Sequence, residues 1–182
     1  MTALEAKQNA KKWIYIGFLL QFGIILYWEL TQYVDFFPFN DVVGLSMQEN
    51  LAASYANDIP KLCIILILWL SLRWMTQPWY LFLYGSSLIY YIVFLGIQLT
   101  IWWPRYLFGA SPEELKDYNE NFARTIKILP KFGNHVPVDL QHNILQTWTL
   151  VIIILMFLTL KKLFHAYKLE RQSQSGTVST NG

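Results

Sequence analysis

The sequence predicts an all-α, polytopic membrane protein built as a bundle of four transmembrane helices. Hydrophobic residues make up 54% of the 182 residues and charged residues only 14%, which is not the composition of a soluble domain. The apolar residues come in long runs, and a helix needs roughly 20 mostly apolar residues to cross a hydrocarbon core of about 30 Å. The runs predict spans at residues 13–34, 59–75, 79–103 and 140–160.

Charge and cysteine content exclude several other classes of protein. A net charge of +2 gives no reason to expect binding to nucleic acid. Cys63 is the only cysteine, so an intrachain disulfide, a CxxC redox pair and a thiolate metal cluster are excluded. We expect Cys63, inside the second apolar run, to be a small packing residue. Neither a phosphate-binding glycine loop nor a nucleophile elbow occurs, and the cofactor remains unknown.

Basic residues predict the orientation in the membrane. Lys7, Lys11 and Lys12 precede the first apolar run, and no Lys or Arg follows it until Lys61. Because cytoplasmic flanks carry the excess of Lys and Arg, this asymmetry predicts that both termini are cytoplasmic. The expected location is the plasma (inner) membrane, with the lipid bilayer as the first partner of the chain.

The first apolar run is expected to remain as a signal anchor. It covers about 22 residues, which is longer than the apolar region of a signal peptide, and no small-residue cleavage site follows it. The predicted organisation is a cytoplasmic N-terminus at 1–12, a membrane domain at 13–165 and a cytoplasmic tail at 166–182. The tail is polar and rich in Ser, Gln, Thr and Gly, so we expect it to be disordered.

Two capping boxes predict amphipathic helices on the outer face of the membrane. Ser46 with Glu49, and Ser111 with Glu114, have the spacing at which each side chain caps the backbone of the other. Apolar residues in the second segment then recur on one helical face, opposite a charged face. The predicted outer helices cover residues 47–57 and 112–129, ending before Pro60 and Pro130.

The two halves of the sequence resemble each other and suggest a two-fold internal repeat. Each half would contain a span, a capped outer helix and a second span, related by an axis along the membrane normal. The other explanation of this resemblance is that helical hairpins commonly share turn residues and aromatic residues at the membrane interface. Residues 132–141 have no counterpart in the first half. Pairs separated by 66 positions are Trp13 and Trp79, Gln32 and Gln98, and Pro38 and Pro104.

A polar stretch at the start of the last span predicts the functional site. Asp139, His142 and Gln146 are spaced at i, i+3 and i+7, so a helix places them on one face. Glu29 is the only acidic residue well inside an apolar run. A carboxylate and an imidazole within reach of each other suit proton transfer, because burial and pairing move their pKa values towards neutrality. We therefore predict Glu29 and His142 as an acid–base pair, with Asp139 orienting the imidazole.

Further polar and aromatic residues are predicted to position a ligand between the helices. Inward groups on facing helices of a bundle can form one site. Interhelical hydrogen bonding, without any ligand, needs the same residue types and is the competing explanation. The predicted ligand-binding residues are Gln32, Gln98, Gln146 and Tyr91, with Trp102 and Trp103 as an apolar wall.

The leading functional hypothesis is an outer polar pocket that binds, and in one version converts, a lipid-like or quinone-like small molecule. The alternative is a non-catalytic subunit or assembly factor that docks a membrane protein partner through residues 112–129. A small transporter, working as a homodimer, is the third hypothesis. A zinc site formed by His135, Asp139 and His142 is a weaker alternative, because Pro137 separates His135 from the helix and no HExxH pattern occurs.

Four spans with an amphipathic outer loop form a layout similar to that of the DoxX-like and emopamil-binding families. The second span here is aliphatic, with Trp69, and lacks the acidic residue that the emopamil-binding family has on that helix. The resemblance therefore covers layout alone, and it assigns a role to no residue of this chain.

Overall fold

The computed structural model describes residues 1–42 and 46–179, with side chains described as far as residue 175. The structure is 78% helical, and no strand occurs in the part that it describes. The all-α class is confirmed. The helices are α1 (Ala3–Tyr33), α2 (Met47–Leu70), α3 (Pro78–Leu107), α4 (Pro112–Asn121) and α5 (Leu140–Ser179), with a single 3-10 turn at Leu72–Trp74.

Four of these helices, α1, α2, α3 and α5, are long and apolar enough to cross a membrane. No more than 33% of the most apolar window of each helix is buried inside the protein. A helix that stays apolar on its exposed faces suits a lipid environment, so the multi-pass membrane class is confirmed. Cys63, predicted to pack inside, is exposed on α2.

The chain forms two compact units, and each takes a segment from all four long helices. The terminal unit comprises Met1–Phe22, Lys61–Ile92 and the described part of Val151–Gly182. The loop unit comprises Val93–Leu150 and the described part of Gly23–Pro60. Neither unit coincides with a half of the sequence, so the halves of the predicted repeat are not separate bodies.

The core of the terminal unit is built around tyrosines on one face of α3. Tyr80, Tyr84 and Tyr91 are all 2% exposed or less. The Tyr91 hydroxyl donates a hydrogen bond to Gln21 Oε1 at 3.0 Å. Tyr91, predicted to bind a ligand, is therefore occupied by an interhelical contact. Near the chain ends, Lys7 Nζ lies 3.6 Å from Glu170 Oε1 and joins α1 to α5.

The core of the loop unit lies under α4. Val136 and Val138, just before α5, are fully buried and pack with Trp102 and Tyr118. Both predicted capping boxes are present: Glu49 N bonds Ser46 Oγ at 3.2 Å, and the Ser111 and Glu114 side chains cap each other's backbone. Partly buried residues that complete this core are Trp103, Leu115 and Phe122.

Two prolines that were predicted to mark helix boundaries lie inside helices. The predicted outer helix at 47–57 and span at 59–75 are one helix, Met47–Leu70, with Pro60 inside it. Pro104 likewise lies inside α3, beyond the predicted end at 103. A proline removes only one backbone donor, and neighbouring groups in a helical membrane protein compensate for that loss.

The α4 helix is shorter than predicted, ending at Asn121 instead of 129. Lys127 Nζ bonds the Phe122 carbonyl and lies 2.6 Å from the carbonyl oxygen of Thr125, so it satisfies acceptors at the end of the helix. The following backbone then pairs elsewhere, since Ile126 N donates to the Pro38 carbonyl at 2.8 Å. A local contact of Lys127 and a tertiary hydrogen bond of Ile126 therefore set this boundary.

The predicted disorder of residues 166–182 is wrong for 166–179, where α5 continues through Ser179, and residues 180–182 lie outside the described part of the chain. The first part of the tail contains Ala, Lys, Leu, Glu, Arg and Gln, which are good helix formers.

The predicted internal repeat of 66 residues does not hold at its prolines. Pro38 precedes α2 in a non-helical segment, whereas Pro104 is helical. Similar turn chemistry explains the sequence resemblance better than a shared structure.

Candidate ligand site in the loop unit

Asp139 is the N-cap of α5 and also fixes the ring of His142. One oxygen, Oδ1, accepts the backbone N–H of His142 at 2.8 Å and lies 2.8 Å from His142 Nδ1. The helix starts here because Leu140 N donates to the Ile126 carbonyl at 2.8 Å, which holds the preceding chain. A single carboxylate therefore begins the helix and orients the imidazole. The sequence spacing predicted the second role and not the first.

Asp139 is fully buried, and its surroundings decide its charge. Burial alone raises the pKa of the Asp139 carboxyl, but His142, through its charge and its hydrogen bonds, and Lys127 together bring that pKa below its usual value. Burial lowers the pKa of the Lys127 amine, although Asp139 opposes this shift. Burial and the charge of Asp139 raise the pKa of Tyr118 to about 12. At neutral pH, Asp139 is therefore an anion beside a neutral phenol.

The imidazole of His142 is held between aromatic rings. Its centroid lies 4.6 Å from that of Trp102 and 5.6 Å from that of Phe122. The carboxylate at Nδ1 favours the tautomer with its proton on Nδ1, which leaves a lone pair on Nε2. The described hydrogen bond of the His142 ring involves Nδ1 and not Nε2. His142 thus presents one acceptor atom of fixed orientation.

A cavity of about 390 Å³ lies in the loop unit, and His142 is part of its wall. The wall is mostly apolar, with one group of aromatic rings and one group of aliphatic side chains. The α4 helix contributes Asp117 and Asn121 to the same cavity. The apolar lining residues are Trp28, Phe94, Trp102, Phe122, Ile97, Ile101 and Leu145.

Two polar side chains in the wall have unused hydrogen-bonding groups. Both amide atoms of Gln98 and the indole nitrogen of Trp28 are buried without a partner among the described residues. Gln146 differs, because its Oε1 accepts from Trp103 Nε1 at 3.0 Å. Gln146 and Trp103 therefore bind each other, while Gln98 and Trp28 remain available to a ligand.

A salt-bridge group forms the charged part of the cavity wall. Arg105 Nε lies 3.0 Å from Glu114 Oε1, and Arg105 Nη1 lies 3.8 Å from Asp117 Oδ2. The second oxygen of Asp117 accepts from Asn121 Nδ2 at 3.0 Å. Ser111 and Arg105 lower the pKa of Glu114, with the Ser111 hydrogen bonds contributing most. This group carries one positive and two negative charges.

Most of the predicted site residues come together, but Glu29, Gln32 and Tyr91 do not join them. His142, Asp139, Gln98 and Gln146 lie in or beside the cavity wall, with Trp102 and Trp103. Gln32 Nε2 instead donates to Asn50 Oδ1 at 2.6 Å, an interhelical contact.

The predicted pairing of Glu29 with His142 has no structural support. Glu29 does not line the cavity, and no described contact joins it to His142. One of its carboxylate oxygens is buried without a partner in the described part of the chain. Glu29 therefore lies outside the site, and Asp139 is the carboxylate that His142 uses.

The weaker metal alternative also lacks its ligand set. His135 Nδ1 lies 2.8 Å from the Tyr106 carbonyl, and its ring stacks on Phe132 at 4.5 Å. In the part of the chain that the structure describes, no three His, Cys, Asp or Glu side chains are grouped to hold an ion. His135 is therefore a loop residue and does not join Asp139 and His142.

Sequence reasoning missed a buried polar face on α2. Asn50, Ser54 and Asp58 are each 7% exposed or less and recur every four residues. Ser54 Oγ lies 3.1 Å from the Tyr33 hydroxyl, which adds to the contact between Gln32 and Asn50. The i, i+4, i+8 spacing was the available signal. These contacts join α1 to α2 in the loop unit.

No family model, curated protein or solved structure matches this chain. The functional argument therefore depends on the cavity and its residues.

Proposed function

We propose that this membrane protein binds a lipid-like or quinone-like amphiphile in the cavity of the loop unit. The observation that carries the proposal is a cavity of about 390 Å³ whose apolar wall includes the unpartnered groups of Gln98 and Trp28. Small-molecule sites typically measure about 300–1,000 Å³ and combine apolar walls with a few placed polar groups. The size and the lining both agree with such a site.

Unpartnered polar groups favour a bound ligand over simple packing. A buried donor or acceptor without a hydrogen bond costs about 1–3 kcal/mol. Three such atoms in the cavity wall, two on Gln98 and one on Trp28, would be satisfied by a ligand that carries oxygen atoms. Because most of the remaining wall is apolar and the long helices suit a membrane, an amphiphile fits the site better than a water-soluble metabolite.

His142 gives the site a group that can exchange a proton with the ligand. Asp139 Oδ1 holds Nδ1 at 2.8 Å, so Nε2 keeps one orientation. This arrangement of a carboxylate, an imidazole and a bound group is the one used in general acid–base catalysis. In this proposal Asp139 is a positioning residue, and His142 contacts the ligand.

The proposal predicts that an amphiphile co-purifies with the protein. Native mass spectrometry of the full chain, released gently from its own membrane, should show a bound small molecule. The variants His142→Ala and Gln98→Ala should lose most of it, by about tenfold in occupancy, because each removes a group of the cavity wall. Protein without any bound molecule, or with the same occupancy in all variants, would contradict the proposal.

Matched controls separate loss of the site from loss of folding. His165 is an exposed histidine of α5 in the terminal unit, and Gln77 is an exposed glutamine beside α3. His165→Ala and Gln77→Ala should retain the molecule. All four variants should also keep the helical circular dichroism of the parent.

A partner docked on 112–129 would find less apolar surface than the sequence predicted. Leu115 and Phe122, the residues expected to contact a partner, pack against the loop unit's own core. We propose instead that α4 is an amphipathic cover over the cavity, with Asp117, Asn121 and Phe122 in the wall.

We also propose that both termini are cytoplasmic and that the membrane is the plasma membrane. Several cations of the terminal unit lie over aromatic rings: Arg73 at 3.6 Å from the Trp74 ring, Lys162 at 4.7 Å from Trp13 and Lys161 at 4.6 Å from Phe157. Cations and Trp side chains are enriched where helices leave a membrane, and cations favour the cytoplasmic side.

Cysteine labelling tests this orientation. In a Cys63→Ser background, an impermeant maleimide added to intact cells should label Lys116→Cys on α4. It should label Gln8→Cys only after the cells are permeabilised. The opposite pattern would place both termini outside. Cys63→Ser alone serves as the unlabelled control.

A further inference from the structure

We infer that the ligand has an uncharged, planar ring as its headgroup, with carbonyl or hydroxyl oxygens of the quinone, quinol or phenol class. The inference rests on the proposed function, since it names the chemical class for the same cavity. It depends on which charges, hydrogen-bonding groups and rings the wall offers.

An anionic headgroup finds no available cation in this cavity. Among the described residues of the wall, Arg105 is the only Lys or Arg. It already lies 3.0 Å from Glu114 and 3.8 Å from Asp117, so carboxylates outnumber it. A fatty acid carboxylate or a phosphate would enter beside Asp117 without compensation, and an uncompensated charge is costly in an apolar site. The wall therefore selects against anions.

A cationic headgroup fails for a different reason. The Trp28 indole nitrogen is only a donor and needs an oxygen or other acceptor, which an ammonium does not have. Both oxygens of Asp117 also have partners, in Arg105 and Asn121. An amine would compete for Asp117 and leave Trp28 unsatisfied.

A neutral ring with oxygen substituents matches the remaining groups. One ring oxygen can accept from Trp28. Another can accept from the Gln98 amide N–H or, where it is a hydroxyl, donate to His142 Nε2. The rings of Trp28, Phe94, Trp102 and Phe122 offer stacking and edge contacts to a flat headgroup. Aromatic pairs stabilise each other beyond the effect of area burial, and an aliphatic alcohol lacks that contribution. Ile97, Ile101 and Leu145 suit the alkyl chain.

The test compares four amphiphiles on the purified full chain in detergent, by titration with native mass spectrometry. The probes are decylubiquinone, dodecanoate, dodecylamine and dodecanol, which represent a neutral ring, an anion, a cation and a neutral chain. Decylubiquinone should bind about tenfold tighter than each of the others. Trp28→Phe keeps a ring but removes the N–H, and it should weaken the binding of decylubiquinone by about fivefold.

Trp148→Phe is the matched control for Trp28→Phe. The Trp148 indole nitrogen is also buried without a described partner, but Trp148 lies outside the cavity wall. This variant should bind decylubiquinone like the parent. Equal weakening by both substitutions would overturn the assignment of Trp28.

The outcomes separate the proposed function, binding of an amphiphile, from the further inference that its headgroup is a neutral ring. Tightest binding of decylubiquinone, with dependence on Trp28 and Gln98, supports both. Tightest binding of dodecanoate, dodecylamine or dodecanol, with loss in Gln98→Ala, overturns the ring headgroup and leaves the proposed function intact. If none of the four binds in a way that Gln98→Ala or His142→Ala reduces, both are overturned.

Discussion

Replacing Asp139 with alanine is expected to lower the free energy of unfolding by about 3 kcal/mol, because one carboxylate has two structural roles. It caps α5 through the His142 N–H, and it bonds the His142 ring, while it is fully buried. Removal of an N-cap alone costs about 1 kcal/mol, and a hydrogen bond to a charged group contributes about 1.5–3 kcal/mol. Denaturant unfolding in detergent, followed by helical circular dichroism, measures the change.

Asp139→Asn separates the cap from the charge. Asparagine caps helices about as well as aspartate, so this variant should recover the capping contribution and remain less stable than the parent by about 2 kcal/mol. Glu113→Ala, at an exposed residue of the α4 helix, is the surface control and should change stability by less than about 0.5 kcal/mol. Parent-like unfolding of Asp139→Ala would show that Asp139 neither begins α5 nor holds His142.

The pH dependence of stability tests the role of Asp139 in a second way. The pKa of Asp139 is lowered in the folded protein, chiefly by His142 working against burial. Its contribution to stability is therefore complete above the unfolded carboxyl pKa of about 3.9 and is lost as the pH falls through the lower folded value. Below about pH 4 the parent should lose stability more steeply than Asp139→Ala.

Composition and run length were sufficient to predict the four spans, because lipid imposes helices of a minimum apolar length. The ends of the helices needed information that no local pattern contains. The α4 helix ends where Lys127 bonds the Phe122 carbonyl and Ile126 pairs with Pro38, and the second of these contacts depends on how distant segments meet. Pro60 gave a misleading signal, since a proline removes only one backbone donor and neighbouring groups in a helical membrane protein compensate for it.

The candidate site divides in the same way between local and distant contacts. Asp139 and His142 are three residues apart, so their hydrogen bond follows from helix geometry and could be predicted. The pairing of Glu29 with His142 required the rotation of α1 against α5, which the sequence does not specify. Trp28 and Arg105 were missed for that reason: a tryptophan in an apolar run and an arginine after a proline carry no local sign that both line one cavity.

Replacing Gly23 with valine is expected to destabilise the protein by about 3 kcal/mol, at the upper end of the cost of overpacking a core. A Cβ atom at Gly23 would lie 2.7 Å from Trp148 Cζ2, closer than real Cβ contacts come. The neighbour is a rigid, packed indole ring, so a small change in one side-chain torsion cannot relieve the clash between α1 and α5. Thermal unfolding of the purified protein should show the loss.

A second substitution makes the cause of that loss specific. Trp148→Leu removes the ring that valine would meet, so Gly23→Val should cost about 1 kcal/mol or less in that background. Gly96→Val is the matched control, because a Cβ at Gly96 has no atom within 4 Å. It should leave stability within about 1 kcal/mol of the parent. If Gly23→Val cost as much without the Trp148 ring as with it, close packing of α1 against α5 at this position would be wrong. The recovery in the double variant would show that glycine is required at position 23 by its neighbour and not by its backbone.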